Sequence, residues 1–179
     1  MNYADIKYPD VANGKGIRVS LFVSGCTHFC KNCFNKEAWD FNYGQAFTEE
    51  TQERILGLLR PGHVSGLTLL GGEPLEESNQ AVLAPFLKRV KAVYPQKNIW
   101  CYTGYDFEKD ILGRMVKQWP QTARMLESID ILVDGEFVEE LKNKTLLFKG
   151  SSNQRIIDVK ASMATGQVVL WETPEYAPV

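Results

Sequence analysis

The chain lacks a dominant charge: 20 Lys and Arg stand against 22 Asp and Glu, a formal net charge of −2, and the basic residues are scattered. The electrostatic footprint of a nucleic-acid binder is therefore missing. No apolar run approaches the ~18 residues of a membrane span. The start, Met1-Asn2-Tyr3-Ala4-Asp5-Ile6-Lys7, also lacks the basic-then-apolar pattern of a signal peptide. A cytoplasmic protein with neither nucleic acid nor membrane as partner is expected. Repeats, low-complexity segments and linkers are absent too. The 179 residues, 44% of them hydrophobic, suit a single domain over 1–179 with a substantial core. Cysteine is sparse, at four residues. That number would allow two disulfides in a secreted chain, but three cysteines crowded into Cys26-Thr27-His28-Phe29-Cys30-Lys31-Asn32-Cys33 suit a metal in a reducing compartment better.

The spacing of those three is C-x3-C-x2-C. An extended chain covers at most about 3.3–3.6 Å per residue, so these short gaps let one loop fold around a compact cluster. A [4Fe-4S] cube usually takes four cysteines, and three thiolates would leave one iron open to a small molecule. Structural zinc is the alternative. It wants four Cys or His ligands, usually as two close pairs, and only one C-x2-C pair is present. His28 could be recruited, whereas Cys101 lies far along the chain. Spacing alone leaves cluster and zinc both open.

Residues 17–24 are β-rich and mostly apolar, a first strand that Gly25 turns into the cysteine loop. Asn13-Gly14-Lys15-Gly16 ahead of it marks a turn. Thr48 caps a helix with Thr51 in its first turn and Ile55, Leu56, Leu58 and Leu59 as its apolar stripe, ended by Pro61-Gly62. Residues 66–70 read as a buried strand that ends in Gly71-Gly72-Glu73-Pro74. Ser78 is expected to cap a helix over 79–94, closed by Pro95. The alternation continues with a strand at 98–102, the turn Thr103-Gly104, a helix at 107–118 and a strand at 129–133. A short helical piece at 137–141 and β-rich runs at 155–159 and 167–171 follow.

Strands alternating with helices predict βαβ units and a mainly parallel sheet. A closed (β/α)8 barrel takes about 250 residues, so the expected α/β fold is an incomplete (β/α) barrel of five or six mainly parallel strands. Ligands in such folds bind at the C-terminal ends of strands, where the cysteine loop and the Gly-Gly-Glu-Pro segment both fall. Glycines without Cβ atoms allow close approach to the backbone, and Glu73 can accept hydrogen bonds from an ammonium group. A bound amino acid would fit.

The C-x3-C-x2-C loop after the first strand, with Gly71-Gly72-Glu73-Pro74 after the second, resembles the radical S-adenosylmethionine (SAM) superfamily. That resemblance implies a barrel of radical SAM type and a [4Fe-4S] cluster held by Cys26, Cys30 and Cys33. SAM would chelate the fourth iron through its amino and carboxylate groups. Asn32, Cys33 and Phe34 would line this cofactor, and Gly72 and Glu73 would meet its amino end. The implied reaction passes one electron from the cluster to the sulfonium, releasing methionine and a 5′-deoxyadenosyl radical that abstracts hydrogen.

The flanks, Asn13-Gly14-Lys15-Gly16-Ile17-Arg18 and Cys33-Phe34-Asn35-Lys36-Glu37-Ala38-Trp39, resemble the glycyl-radical-enzyme activases, which implies a protein backbone as substrate. Lys15 departs from the proline common there. Tyr102-Thr103-Gly104-Tyr105, Val133-Asp134-Gly135-Glu136-Phe137 and Gly150-Ser151-Ser152-Asn153-Gln154-Arg155 are similar to segments of those activases that serve anaerobic ribonucleoside-triphosphate reductase. The implied partners are that reductase and a low-potential electron donor such as flavodoxin. A short barrel leaves one side of the site open to water, and a reductase loop carrying the target glycine would close it.

Two other readings compete. One keeps the radical chemistry but acts on another glycyl radical enzyme or on a small molecule; the other is a non-catalytic metal-binding interaction module. Several residues are expected to carry less. Cys101 reads as a buried strand residue, His28 is otherwise expected merely to face solvent, and His63 has no evident partner. Trp100 and Tyr102 alternate on one strand face and read as core rather than as an adenine stack. Asp130 and Asp134 are candidates to reach a ribose.

Overall fold

The computed structural model describes residues 1–172. Among these residues, seven strands form one sheet: β1 Asn2–Asp10, β2 Ile17–Val23, β3 Gln45–Ala46, β4 Val64–Gly71, β5 Asn98–Tyr102, β6 Ile131–Asp134 and β7 Arg155–Asp158. Their order is β3-β1-β2-β4-β5-β6-β7. The middle strands β2, β4, β5 and β6 pair in parallel. Both flanks are antiparallel, with β1 and β3 on one side and β7 on the other. The strand count and the mainly parallel sheet expected from sequence are thus corrected, and Ile17–Val23 is the second strand. β1 is hard to read because only Tyr3, Ile6 and Asp10 are buried along it. An antiparallel strand near an edge needs no continuous apolar run.

Helix α1, Glu49–Leu59, begins as expected. Thr48 Oγ1 accepts from the Thr51 amide at 3.3 Å and Thr51 Oγ1 accepts from the Thr48 amide at 3.4 Å, a reciprocal cap. Helix α2, Glu77–Val93, starts before the expected residue, and its capping position is Glu76, with no side-chain cap. Ser78 lies within the first turn, so the cap expected there does not form. The 107–118 span is helical but changes pattern: a π-helix, Phe107–Met115, passes into α3, Val116–Gln118. α4, Pro120–Ser128, and α5, Val159–Thr165, are short helices that sequence periodicity does not resolve. The 167–171 run makes only an isolated antiparallel contact between Leu170 and Ile157.

Strand alternation explains the layers. Val19 and Leu21, Leu67 and Leu69, Ile99 and Cys101, Leu132 and Ile157 pack against α1, α2, α4 and the π-helix in the main core. Burying each large aliphatic side chain contributes about 1.5–3 kcal/mol. The intervening residues face the other way. Trp100, Ile131, Val133 and Ile156 form a smaller cluster there, joined by Phe148 and Trp171, which bears out Trp100 as core.

Arg18 is fully buried on this second face. Its guanidinium donates to Thr68 Oγ1 at 2.6 Å, to the Leu67 carbonyl at 2.8 Å, and to Asn98 Oδ1 at 2.8 Å and its carbonyl at 3.3 Å. A further bond reaches the Lys15 carbonyl at 3.1 Å, so the turn ahead of β2 is tied down by Arg18. The parallel register pairs Val23 with Gly71 and Tyr102 with Val133. The loops that follow β2, β4, β5 and β6 therefore emerge along one rim.

Candidate cluster and cofactor site

A cavity of about 420 Å³ opens at that rim and is lined by Cys26, Cys30, Cys33, Asn32, Phe34, Gly72 and Glu73. Each of these seven was expected from sequence, and the structure brings them together here, whereas Asp130 and Asp134 do not reach it. Thr103 and Gly104 after β5, Trp39, and Lys142, Lys144 and Lys149 of the 142–150 segment complete much of its wall. The sequence signal for Thr103 and Gly104 was their place at the end of a parallel strand. The 142–150 segment carries no such signal.

The three cysteines are free thiols. Burial pushes the Cys26 thiol up to about 12, against a hydrogen bond from the His28 amide. The Cys30 thiol is raised as well, by burial and then by the charge of Glu136. A bound metal supplies the positive charge that ionises such thiols. Among the described residues, a closed zinc tetrahedron finds no fourth Cys or His ligand here. Cys101 is buried in the helix-side core, and both ring nitrogens of His28 are taken by carboxylates. The donor set fits a cluster with one open iron. Among the described residues, Trp39 Nε1 and Tyr102 Oη are buried without a hydrogen-bond partner, and both residues line the cavity. An unpaired buried donor costs about 1–3 kcal/mol, and a polar molecule bound in the cavity would relieve it.

The cluster loop is rooted by backbone bonds, Gly25 N–H to the Ala38 carbonyl at 2.8 Å and Cys26 N–H to the Trp39 carbonyl at 3.2 Å. Glu76, which leaves α2 without a side-chain cap, instead accepts from the Thr27 amide at 2.8 Å and from its hydroxyl at 2.6 Å. Gly72 donates to the Val23 carbonyl at 2.7 Å. A Cβ on Gly72 would lie 2.6 Å from the Gly25 carbonyl oxygen and 2.8 Å from that of Ala38. The space that a glycine leaves at this position is filled by the chain itself.

Glu73 is buried. Its Oε1 accepts from the Leu75 amide at 2.8 Å, and its Oε2 accepts from the Gly104 amide at 2.8 Å and meets His28 Nε2 at 3.0 Å. His28 does not face solvent, contrary to expectation: its side chain is 10% exposed. Nδ1 meets Glu136 Oε1 at 3.0 Å, and the ring packs edge-on against Tyr105 at 4.5 Å. Burial alone would lower the imidazole pKa, but the hydrogen bonds and charges of Glu73 and Glu136 outweigh it and raise it to about 9. Nothing in sequence spacing pairs a histidine with acids 45 and 108 positions away.

Comparison with known proteins accords with this geometry. The 4Fe-4S single cluster domain family matches residues 12–157. The anaerobic ribonucleoside-triphosphate reductase-activating protein of Pasteurella multocida (strain Pm70) is 42% identical over 161 residues, covering 87% of this chain and 96% of the relative. That of Haemophilus influenzae is 42% identical over 158 residues, covering 87% and 97%. The Escherichia coli (strain K12) protein of the same name is 38% identical over 156 residues, covering 86% and 96%. The chain belongs to this reductase-activating protein family. The resemblance drawn from the segments around the cysteine loop and from Gly150–Arg155 is borne out.

Other candidates within this family member fall outside the cavity. Asp130 Oδ2 accepts from Lys91 Nζ at 2.6 Å and from the Ile99 amide at 2.7 Å. Asp134 accepts from Arg155 Nε at 3.0 Å and from the Phe107 amide at 2.9 Å. Neither lines the cavity, so the ribose contact expected of them has no support. Asp106, Glu108 and Asp134 lie close enough to suggest a cation site, but Arg155 already bridges all three. Cys101 is fully buried in β5, as expected. His63 Nε2 lies 3.1 Å from the Tyr8 hydroxyl, far from this rim in sequence and outside the lining. No helix among the described residues is long and apolar enough to cross a membrane.

Proposed function

We propose that this chain, as a single radical SAM domain, activates anaerobic ribonucleoside-triphosphate reductase by generating a glycyl radical on it. One observation carries the reading: three free thiols of one loop share a cavity with the Gly-Gly-Glu segment, in a member of the reductase-activating family. The parallel strands β2, β4, β5 and β6 support an incomplete barrel of radical SAM type.

Cys26, Cys30 and Cys33 would hold three irons of a [4Fe-4S] cluster, leaving the fourth to SAM. When bound, the cluster supplies the single electron that cleaves the SAM sulfonium and so begins hydrogen abstraction from the reductase glycine. The chain's own residues bind and orient. Glu73 Oε1 accepts one bond within the fold, leaving capacity for an ammonium donor beside Gly72. Asn32 and Phe34 would flank the cofactor. Phe34 is 94% exposed, placed to be covered when the reductase closes the rim and excludes water. A reducing cytoplasm and a low-potential donor such as flavodoxin suit the free thiols.

The test is anaerobic reconstitution with iron and sulfide, dithionite reduction, and electron paramagnetic resonance (EPR) with and without SAM. A reduced [4Fe-4S] signal that shifts with SAM and is lost in Cys30→Ala is expected, followed by a glycyl radical on added reductase. A colourless zinc protein, or a cluster indifferent to SAM, would overturn the proposal and favour a metal-binding module.

A further inference from the structure

The cluster loop is the least regular part of the site. Residues 24–35 contain neither strand nor helix, and Phe29 and Asn32 sit at φ of 53° and 56°. Left-handed backbone costs an ordinary L-residue about 1–2 kcal/mol. Such a loop keeps one shape only if contacts outside it over-determine that shape.

We propose that His28 is a positioning residue that fixes the cluster loop to three other strand ends at once, and that Asn153 and Gln154 act through it by holding Glu136. The imidazole hangs from the loop after β2. Glu73 follows β4, Gly104 and Tyr105 follow β5, and Glu136 follows β6, and the ring touches each of these segments. Nε2 and Nδ1 each meet a carboxylate oxygen at 3.0 Å, and Tyr105 packs against the ring. At Gly104 a Cβ would come within 2.7 Å of the ring, so this strand end is glycine where the imidazole crosses it.

Glu136 is the arm that needs support, because its side chain is 56% exposed. Asn153 Nδ2 donates to the Glu136 carbonyl at 2.8 Å and Gln154 Nε2 donates to the Gly135 carbonyl at 2.9 Å. Gln154 is itself fixed, since its Oε1 accepts from the Gly150 amide at 2.8 Å and the Ser151 amide at 3.2 Å. The Gly150–Arg155 motif, which served only as a mark of resemblance in the sequence, thereby gains a physical role. It braces the turn that presents Glu136 to His28.

The inference rests on Cys26, Cys30 and Cys33 being the cluster ligands. Groups one step out from metal ligands change metal affinity or activity about 10–100-fold when replaced. Wild type, His28→Gln, Glu136→Ala, the double variant and Asn153→Ala are reconstituted anaerobically. The readouts are the rate of cluster loss to a chelator, the EPR signal with and without SAM, thermal unfolding of the apoprotein, and alkylation of apoprotein Cys26. Glutamine offers donors at one end only, so His28→Gln keeps at most one arm of the clamp. Glu136→Ala and Asn153→Ala should unfold with the wild type yet lose the cluster about 10-fold faster, with a broadened EPR signal and faster Cys26 alkylation. The double variant should be no worse than His28→Gln, because both changes break one clamp. Loss rates, spectra and alkylation equal to wild type, or effects that multiply in the double variant, would overturn the clamp. If His28→Gln fails to fold, Glu136→Ala and Asn153→Ala decide. A wild type without a SAM-responsive cluster defeats the proposed function instead, and Cys26 alkylation in the apoprotein still decides on the clamp.

Discussion

Replacing Gly72 by alanine separates two reasons for a glycine at the end of β4. Its methyl group would stand 2.6 Å from the Gly25 carbonyl oxygen and 2.8 Å from that of Ala38, where ordinary contact begins at 3.4 Å. The backbone that roots the cluster loop must then retreat by about 0.6–0.8 Å to restore ordinary contact. That movement stretches the bond from the Glu73 amide to the Gly25 carbonyl, which is 2.8 Å in the native fold. Overpacking of this kind costs about 1–3 kcal/mol and a weakened hydrogen bond about 0.5–1.5. A loss of roughly 2–4 kcal/mol in a domain of this size lowers the unfolding midpoint by roughly 5–15 °C. The assay is circular dichroism of the reduced apoprotein during heating, with no cofactor present. If the glycine serves only to admit SAM, the apoprotein will melt as wild type while SAM binding falls. A midpoint within about 1 °C of wild type would refute the packing account.

Arg18→Leu leaves the Lys15, Leu67 and Asn98 carbonyls without their buried donor, and should cost about 3–5 kcal/mol in urea unfolding; a loss under about 1 kcal/mol would count against the staple. Burial pushes the Asp10 carboxyl up, but hydrogen bonds from Ser20, Asn13 and the Ala12 amide, with the Lys7 charge, hold it below its usual range. A depressed carboxyl stabilises the fold above its unfolded pKa of about 3.9 and ceases to do so as pH falls through the folded value. The apoprotein stability gap between wild type and Asp10→Asn should therefore be full at neutral pH and shrink below about pH 4; a gap that is flat with pH would contradict this. Native apoprotein treated with iodoacetamide at pH 8 should label the half-buried Cys30 and Cys33 first. Cys26, with its raised thiol pKa, should follow at least ~100-fold more slowly, and the fully buried Cys101 only after unfolding. Early labelling of Cys101 in peptide mapping would show that β5 opens.

Chemistry carried by neighbours in the chain was legible in the residues themselves. The C-x3-C-x2-C spacing, the Gly-Gly-Glu-Pro turn after a buried strand and the cap supplied by Thr48 are local, and their physics needs only a few adjacent positions. Alternation of strand and helix located β2, β4, β5 and β6, because strands buried on both faces read as apolar runs. Pairing of those strands in parallel brings their C-terminal ends to one rim, so the meeting of the cysteine loop with Gly72 and Glu73 followed from topology.

Everything that depended on partners distant in sequence was decided by the tertiary structure. β1 owes its place to pairing with β2 rather than to its own apolar content. Glu76 gives its carboxylate to Thr27 instead of to the start of α2, a competition between two amides that no window of sequence contains. Asp130 and Asp134 are claimed by Lys91 and Arg155 before a ribose could meet them. His28 is buried between two carboxylates because three loops converge on it, and Gly72 is packed against backbone oxygens because the loop folds back there. The sequence by itself determined which groups could hold a cluster, since ligand chemistry lies in residue type and short spacing. Only the tertiary structure decided which surrounding groups hold that loop in place, since hydrogen bonds and close packing arise from proximity in space.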